Sequence, residues 1–329
     1  MKKNHLFAIL TLATAPALLH AQTTSYSDIV GYTTTVVKGT GSSGSSEYFS
    51  FVPIQLQKDK VFQGPASAST TTVTLTGASL TSGALNAGTY PTHYLLLTSG
   101  VNAGLASDIT SNSTSTVTTV DDLSASINAG ASVAVVPHIK VTDVLGVSGS
   151  QKIAGGSTAS SADNIYLVGS DGNLKTFYYK TGVGAGLKTS ANVDATGLVV
   201  YPGESILVGR KVTSDTAGIV QTGLVPTSDV KSVFTQGYST SASGAPVPLK
   251  LSDLTSVAAG ASTASAADNL FVIDSANGQL KAFYYKTGVG AGWKTTANAN
   301  ADVNTELSDG FVFLRRSATP TTLGQAKTW

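Results

Sequence analysis

The chain of 329 residues contains no cysteine. Disulfide staples, thiolate metal sites and thiol nucleophiles are excluded together, so stability must come from apolar burial and backbone pairing. Charge is scarce too, at 12% of residues, and arginine occurs only at Arg210, Arg315 and Arg316. Past Leu19 no apolar run approaches the ~20 residues that a membrane-spanning helix needs. Capped segments with sustained 3.6-residue apolar spacing are also missing, so any helices are expected to be short. Beyond residue 21 the only histidines are His93 and His138, which leaves little material for a histidine-based triad or a zinc site. Each reads as a turn or surface residue rather than a base.

What the first residues do hold is an address. Lys2 and Lys3 precede an apolar stretch from Leu6 to Leu19, and small Ala21 stands before Gln22, the pattern of a signal peptide cut after Ala21. The stretch is too short for a span and contains Pro16. Export is therefore expected, to the periplasm, the cell surface or the medium. Without residues 1–21, 18 basic side chains face 19 acidic ones, a net charge of −1. That balance gives no electrostatic footprint for nucleic acid or an anionic membrane. The remaining 308 residues suffice for two or three domains.

Architecture is written in a duplication. Leu174 through Asn192 recurs as Leu280 through Asn298, and only three of the 19 positions differ: Thr176/Ala282, Leu187/Trp293 and Ser190/Thr296. Self-similarity of this quality marks a duplicated structural unit. The match extends outward, with Ile139–Asp143 resembling Leu249–Asp253, Ala162–Val168 matching Ala267–Ile273, and Ile206–Lys211 aligning with Phe311–Arg316. Phe51–Leu56 echoes Pro246–Leu251, and Ala129–Val133 echoes Pro202–Ile206, which raises a third, diverged copy in the N-terminal part. Short runs such as Tyr94–Leu97, Val133–Val136, Ile165–Val168 and Ile206–Val208, punctuated by Gly, Asn, Asp and Ser, read as strands. Asp171-Gly172 and Asn277-Gly278 mark equivalent tight hairpins, because both turn residues must tolerate positive φ. Alternation then puts Phe177 and Tyr179 on one face of the returning strand and Tyr178 on the other. The expectation is an all-β chain of tandem antiparallel, sandwich-like domains: a signal peptide at 1–21, an N-terminal β-domain at 22–138, and repeat units at 139–248 and 249–329.

Val30-Gly31-Tyr32, Leu97 through Gly104, Gly292-Trp293-Lys294, and Pro202-Gly203 followed by Arg210-Lys211 form a pattern spread over most of the chain. In these motifs the sequence resembles an expanded paralogous family of secreted proteins from Verrucomicrobia-type bacteria. It departs from that pattern at Lys188 and Lys294, where an arginine would follow the tryptophan, and at Leu187, which stands in the tryptophan's place. The resemblance implies export and a β-rich build, and no catalytic residues.

The chemistry on offer is thin. Gly182 through Thr189 superficially suggests a phosphate loop, yet Leu187 and Trp293 replace the glycine required before the lysine, and no helix is expected after it. No Asp-x-Asp-x-Asp-Gly calcium loop is present, and Glu47, Glu204 and Glu306 stand in no motif. No cofactor or metal is expected, and no catalytic residue is assigned. Arg210 and Arg315 end the equivalent strand of each unit. Arginine's planar fork there suits either a pair with a carboxylate of the same unit, Asp163 and Asp268 or Asp143 and Asp253, or, with Arg316, a patch for an anionic glycan. Tyr178, Tyr284 and Trp293 are either core residues or stacking platforms for a glycan. The expected function is a secreted, non-enzymatic β-repeat protein with a structural or adhesive role, its partners being extracellular glycan or other surface proteins. The alternative is a glycan-binding protein using the repeat aromatics, and a polysaccharide-processing enzyme stands behind both.

Overall fold

A computed structural model describes residues 29–42, 46–86, 88–128, 130–169, 171–244, 249–307 and 309–325. The signal peptide read at 1–21 lies outside them. The chain opens with β1 (Val30–Thr35) and β2 (Tyr48–Pro53). Six more strands come next: β3 (Phe62–Ser69), β4 (Thr72–Leu75), β5 (His93–Leu97), β6 (Ala106–Asn112), β7 (Thr116–Thr119) and β8 (Ala131–Pro137). After them stand β9 (Ile139–Lys140), a one-turn helix α1 (Val141–Leu145), β10 (Asn164–Val168), β11 (Leu174–Lys180) and β12 (Gly186–Thr189). β13 (Val199–Val200), β14 (Ser205–Arg210) and β15 (Ile219–Leu224) complete this part. The remainder holds β16 (Val230–Phe234), β17 (Gly237–Ser241), a 3-10 turn at Leu251–Leu254, β18 (Asn269–Asp274), β19 (Gln279–Lys286), β20 (Gly292–Thr295), β21 (Phe311–Arg315) and β22 (Thr321–Gln325). The chain is all-β and its strand pairs are antiparallel, and no described helix is long and apolar enough to cross a membrane.

The duplication is structural. One five-stranded sheet runs β12-β11-β10-β14-β2 and the other β20-β19-β18-β21-β17, the same order with the same register. Ile165 pairs with Phe177 as Leu270 pairs with Phe283, and Tyr179 pairs with Leu187 as Tyr285 pairs with Trp293. Gly172 and Gly278 both sit at φ 69° in the hairpins, so the inserted residue in the second loop leaves the turn unchanged. Asp143 and Asp253 accept the backbone N–H of Lys140 and Lys250 at 2.9 and 2.8 Å, closing the helical turn in each copy.

The linear division of the chain requires correction. Strand β2, assigned by sequence to an N-terminal domain, is the edge strand of the first repeat's sheet, where Tyr48–Pro53 pair with Arg210–Ser205. Strands β16 and β17, assigned to the first repeat, belong to the second, with β22 and β21 as their partners. Unit 1 is thus residues 30–56 together with 139–224, and unit 2 is residues 230–325. Between β2 and β9 sits a closed six-stranded barrel, β3-β4-β7-β6-β5-β8, inserted into unit 1. In the sheets Phe51 and Val52 hold the places of Thr240 and Ser241, so the echo of Phe51–Leu56 with Pro246–Leu251 is not a structural equivalence, and no third copy of the unit is present among the described residues.

Three of the apolar runs flagged in the sequence are strand segments buried on both faces, and in Ile165–Val168 the second face, Tyr166 and Val168, is half-buried. In the barrel, Leu95, Leu97, Val133 and Val135 point inward. Tyr94, Leu96, Ala134 and Val136 point outward and pack with Tyr201 of unit 1. In unit 1, Ile165, Leu167, Ile206 and Val208 join α1, Val37 and Ile219 in the unit's own core. Leu207 turns the other way, toward Phe51 and Val312. This second face is where the units meet: Phe49, Tyr166 and Leu174 on one sheet oppose Tyr238, Phe271 and Leu280 on the other. The two repeat sheets thus also pack face to face.

That contact is reciprocal. The Phe49 amide of edge strand β2 donates to Gly278 O at 2.8 Å, and the Tyr238 amide of edge strand β17 donates to Gly172 O at 2.7 Å. Phe49 and Tyr238 hold equivalent places in the register, as do Gly278 and Gly172. The units are related as the two halves of a two-fold dimer, each edge strand capped by the other's hairpin.

Candidate functional site

The arginines fall where the structural reading puts them. Arg210 Nη1 donates to Asp163 Oδ2 at 2.9 Å, and Arg315 Nη1 donates to Asp268 Oδ2 at 2.9 Å. Asp163 and Asp268 are fully buried and also accept the amides of Ala154 and Lys211, and of Ala259 and Arg316, respectively. Each guanidinium Nε donates to a loop carbonyl, Ser214 O or Thr319 O. Two buried charges so fully hydrogen-bonded tie the segment before β10 or β18 to the end of β14 or β21, and neither arginine offers a free face to an anion. Arg316 is exposed, but its side chain bonds Ala267 O and Asn269. The anion patch built on these three residues is thereby corrected to a structural lock.

The stacking platforms are corrected too. Tyr178, Tyr284 and Trp293 are all buried, at 3%, 3% and 4% exposure, and stacking needs an open aromatic face. Trp293 packs edge-on against Tyr285 and donates Nε1–H to Thr255 Oγ1 at 3.0 Å, while Leu187 fills the equivalent place at 0% exposure. The Leu/Trp difference is a core substitution between repeats.

What the sequence did not reveal is a cluster where the barrel meets unit 1. His138, read as a turn or surface residue, is 2% exposed. Its Nε2 lies 2.7 Å from Asp108 Oδ1, which also accepts the hydroxyl of Tyr201, and its ring rests against Tyr94 and Tyr201. With Nε2–H given to Asp108, the buried Nδ1 has no partner among the described residues. Burial pushes the hydroxyl pKa of Tyr94 and of Tyr201 well above the ordinary range, and the Asp108 charge adds to the effect at Tyr201. The only sequence signal was the run Val133–Val136 leading straight into Pro137-His138: a strand buried on both faces delivers the residues at its end to a buried place.

Beside this cluster lies a cavity of about 400 Å³ at the junction of barrel, unit 1 and unit 2. Tyr94 and Leu96 of the barrel, Tyr201 and Glu204 of unit 1, and Val230 and Tyr238 of unit 2 are among its walls. Glu204 Oε2 accepts the Tyr201 amide at 2.9 Å. Burial, reinforced by the charge of Asp108 and partly offset by that amide, pushes the Glu204 carboxyl up to about 7. A second cavity of about 410 Å³ lies at the equivalent place across the pseudo-two-fold, with Ile273 for Val168, Phe49 for Tyr238 and Ser50 for Ser239. Glu306 and Asp309 supply its acids. The barrel walls the first cavity alone. No family model, curated protein or solved structure matches this chain.

Proposed function

We infer that the protein is an exported, non-enzymatic β-repeat protein with a structural or adhesive role at the cell surface or in the extracellular matrix. One observation carries the reading: what the two copies share serves the fold. The shared aromatics, the Arg–Asp pairs and the hairpin glycines sit in cores, locks or the inter-unit contact, and the exposed aspartates Asp143 and Asp253 close the helical turns. The copies also share one exposed turn, Thr181–Ala185 and Thr287–Ala291, but the shared side chains that bond or pack belong to a scaffold. The signal-peptide pattern and the resemblance to secreted proteins support export. The test is expression of the full chain in a Gram-negative host, with fractionation and N-terminal sequencing. A mature protein beginning at Gln22 in the surface or extracellular fraction, adhering to cells or matrix without releasing sugar from polysaccharide, is the expected result. An unprocessed cytoplasmic chain, or steady release of reducing ends, refutes it.

A further inference from the structure

Ligand sites are mostly apolar cavities with a few convergent polar side chains. Three buried ones line the first cavity: Gln57, Ser228 and Thr240, at 3%, 8% and 8% exposure. No hydrogen bond joins these side chains to a described residue, and their polar atoms are not among the fully buried ones left without a partner, so each keeps some access to the open space. They come from three different segments, the stretch after β2, the approach to β16, and β17, yet converge on one space. Glu204 adds a carboxyl with only one oxygen engaged, by the Tyr201 amide. The charged groups at the wall are already occupied: Lys231 Nζ donates to Val101 O at 2.6 Å, and Asp229 has its own partner. Tyr94, Leu96, Val230 and Tyr238 supply apolar and aromatic wall, beside the further hydroxyls of Ser232, Thr235 and Ser239.

From this convergence we propose that the cavity is a binding site for a neutral, polyhydroxylated ring, a free mono- or disaccharide or the end group of a neutral glycan. Its volume lies within the ~300–1,000 Å³ typical of small-molecule sites. An amide, two hydroxyls and a carboxyl supply both donors and acceptors, matching the mixed demands of sugar hydroxyls. Apolar walls suit the C–H faces of the ring. Among the described residues no free cation lines the cavity to meet an anionic ligand, and burial pushes the one unpaired acid, Glu204, up to about 7, well above the ordinary carboxylate range. The equivalent cavity across the pseudo-two-fold lacks both the barrel wall and a counterpart to Gln57 among its lining residues. The barrel insertion is thus what makes one of two related clefts selective. This site shares no residue with the repeat aromatics and goes beyond the structural role inferred above, standing whether or not the protein is adhesive.

Saturation-transfer NMR and calorimetry on the mature chain test it directly. The probes are glucose, galactose, N-acetylglucosamine and cellobiose, with glucosamine and glucuronate as charged controls. A neutral member should bind, and Gln57→Leu or Thr240→Val should weaken it by about tenfold while circular dichroism stays unchanged. Thr240→Val is nearly isosteric and keeps the test valid if Gln57→Leu unfolds the chain. Failure of all four neutral sugars to bind overturns the proposal, as does binding only of a charged control. So does binding indifferent to Thr240→Val and to Ser228→Ala.

Discussion

Leu187 and Trp293 occupy one place in two copies, and the surrounding cores have adjusted to different volumes. Trp293→Ala removes a buried aromatic and its bond to Thr255, so it should cost about 3–5 kcal/mol in a urea titration. An effect under about 1 kcal/mol would mean that the ring is on the surface after all. The buried Arg–Asp pairs make a similar demand. Asp163→Ala strands the Arg210 guanidinium and the Ala154 and Lys211 amides, a loss of about 3–5 kcal/mol. Asp268→Ala should match it closely, because the carboxylates of the two networks accept the same set of bonds. Glu204 has a pH signature. Its carboxyl rises from 4.5 to about 7 on folding, so between those values the folded chain holds a proton that the unfolded chain releases. Stability therefore falls as pH climbs through that window, by on the order of 2–3 kcal/mol in all. Comparing urea midpoints of the native protein and Glu204→Gln at pH 4.5 and 7.5 isolates this contribution, since the variant should lose much less across the interval. At this scale the sequence was readable where chemistry repeats. Asp163 and Asp268 could be named as arginine partners because both charges recur together. His138 and Glu204 occur once each, and nothing local marks a single residue as buried by a neighbour far away in sequence.

The elements themselves were largely legible. Runs rich in Val, Ile, Tyr and Leu, bounded by turn residues, became strands, and Asp171-Gly172 and Asn277-Gly278 became hairpins. Aromatics on both faces of β11 suit either a strand with two buried sides or one that turns a face to a ligand or partner, and Phe177, Tyr178 and Tyr179 are all buried. Which elements pair could not be read, because β2 finds β14 across more than 150 residues and no local pattern records that choice. The hairpin glycines offer a test at this scale. Gly278 and Gly288 share nearly the same positive φ, 69° and 78°, so an added Cβ carries similar backbone strain at both. At Gly288 that Cβ meets open space, whereas at Gly278 it would lie 2.2 Å from the Tyr48 ring of the other unit. Gly288→Ala should cost about 1–2 kcal/mol, from the left-handed backbone alone. Gly278→Ala should cost clearly more, and equal melting temperatures for the two variants would show that the units do not touch there.

At the scale of the molecule, the protein is a fused pair with an insertion. Of the two echoes in the sequence, Phe51–Leu56 with Pro246–Leu251 and Ile139–Asp143 with Leu249–Asp253, only the second is a structural equivalence; Phe51 and Val52 hold the places of Thr240 and Ser241, and the barrel is inserted between β2 and β9. Taken in chain order, the first echo suggests a third repeat. Only the strand pairing shows that it belongs to a unit whose remainder begins after the barrel. The arrangement also accounts for the sheets' double burial: one face of each covers its own core, and the other covers the partner sheet. Without that packing, the outward amides of edge strands β2 and β17 would face water. Hydrogen exchange at Phe49 and Tyr238, measured residue by residue by NMR, therefore reports on the inter-unit contact more directly than any other quantity. If the two repeats clasp each other, both amides exchange as slowly as those at the centres of their sheets, and Gly278→Ala speeds Phe49 more than it speeds the unit cores. Exchange of Phe49 and Tyr238 at the rate of open loops, beside protected β10 and β18, would contradict the paired architecture.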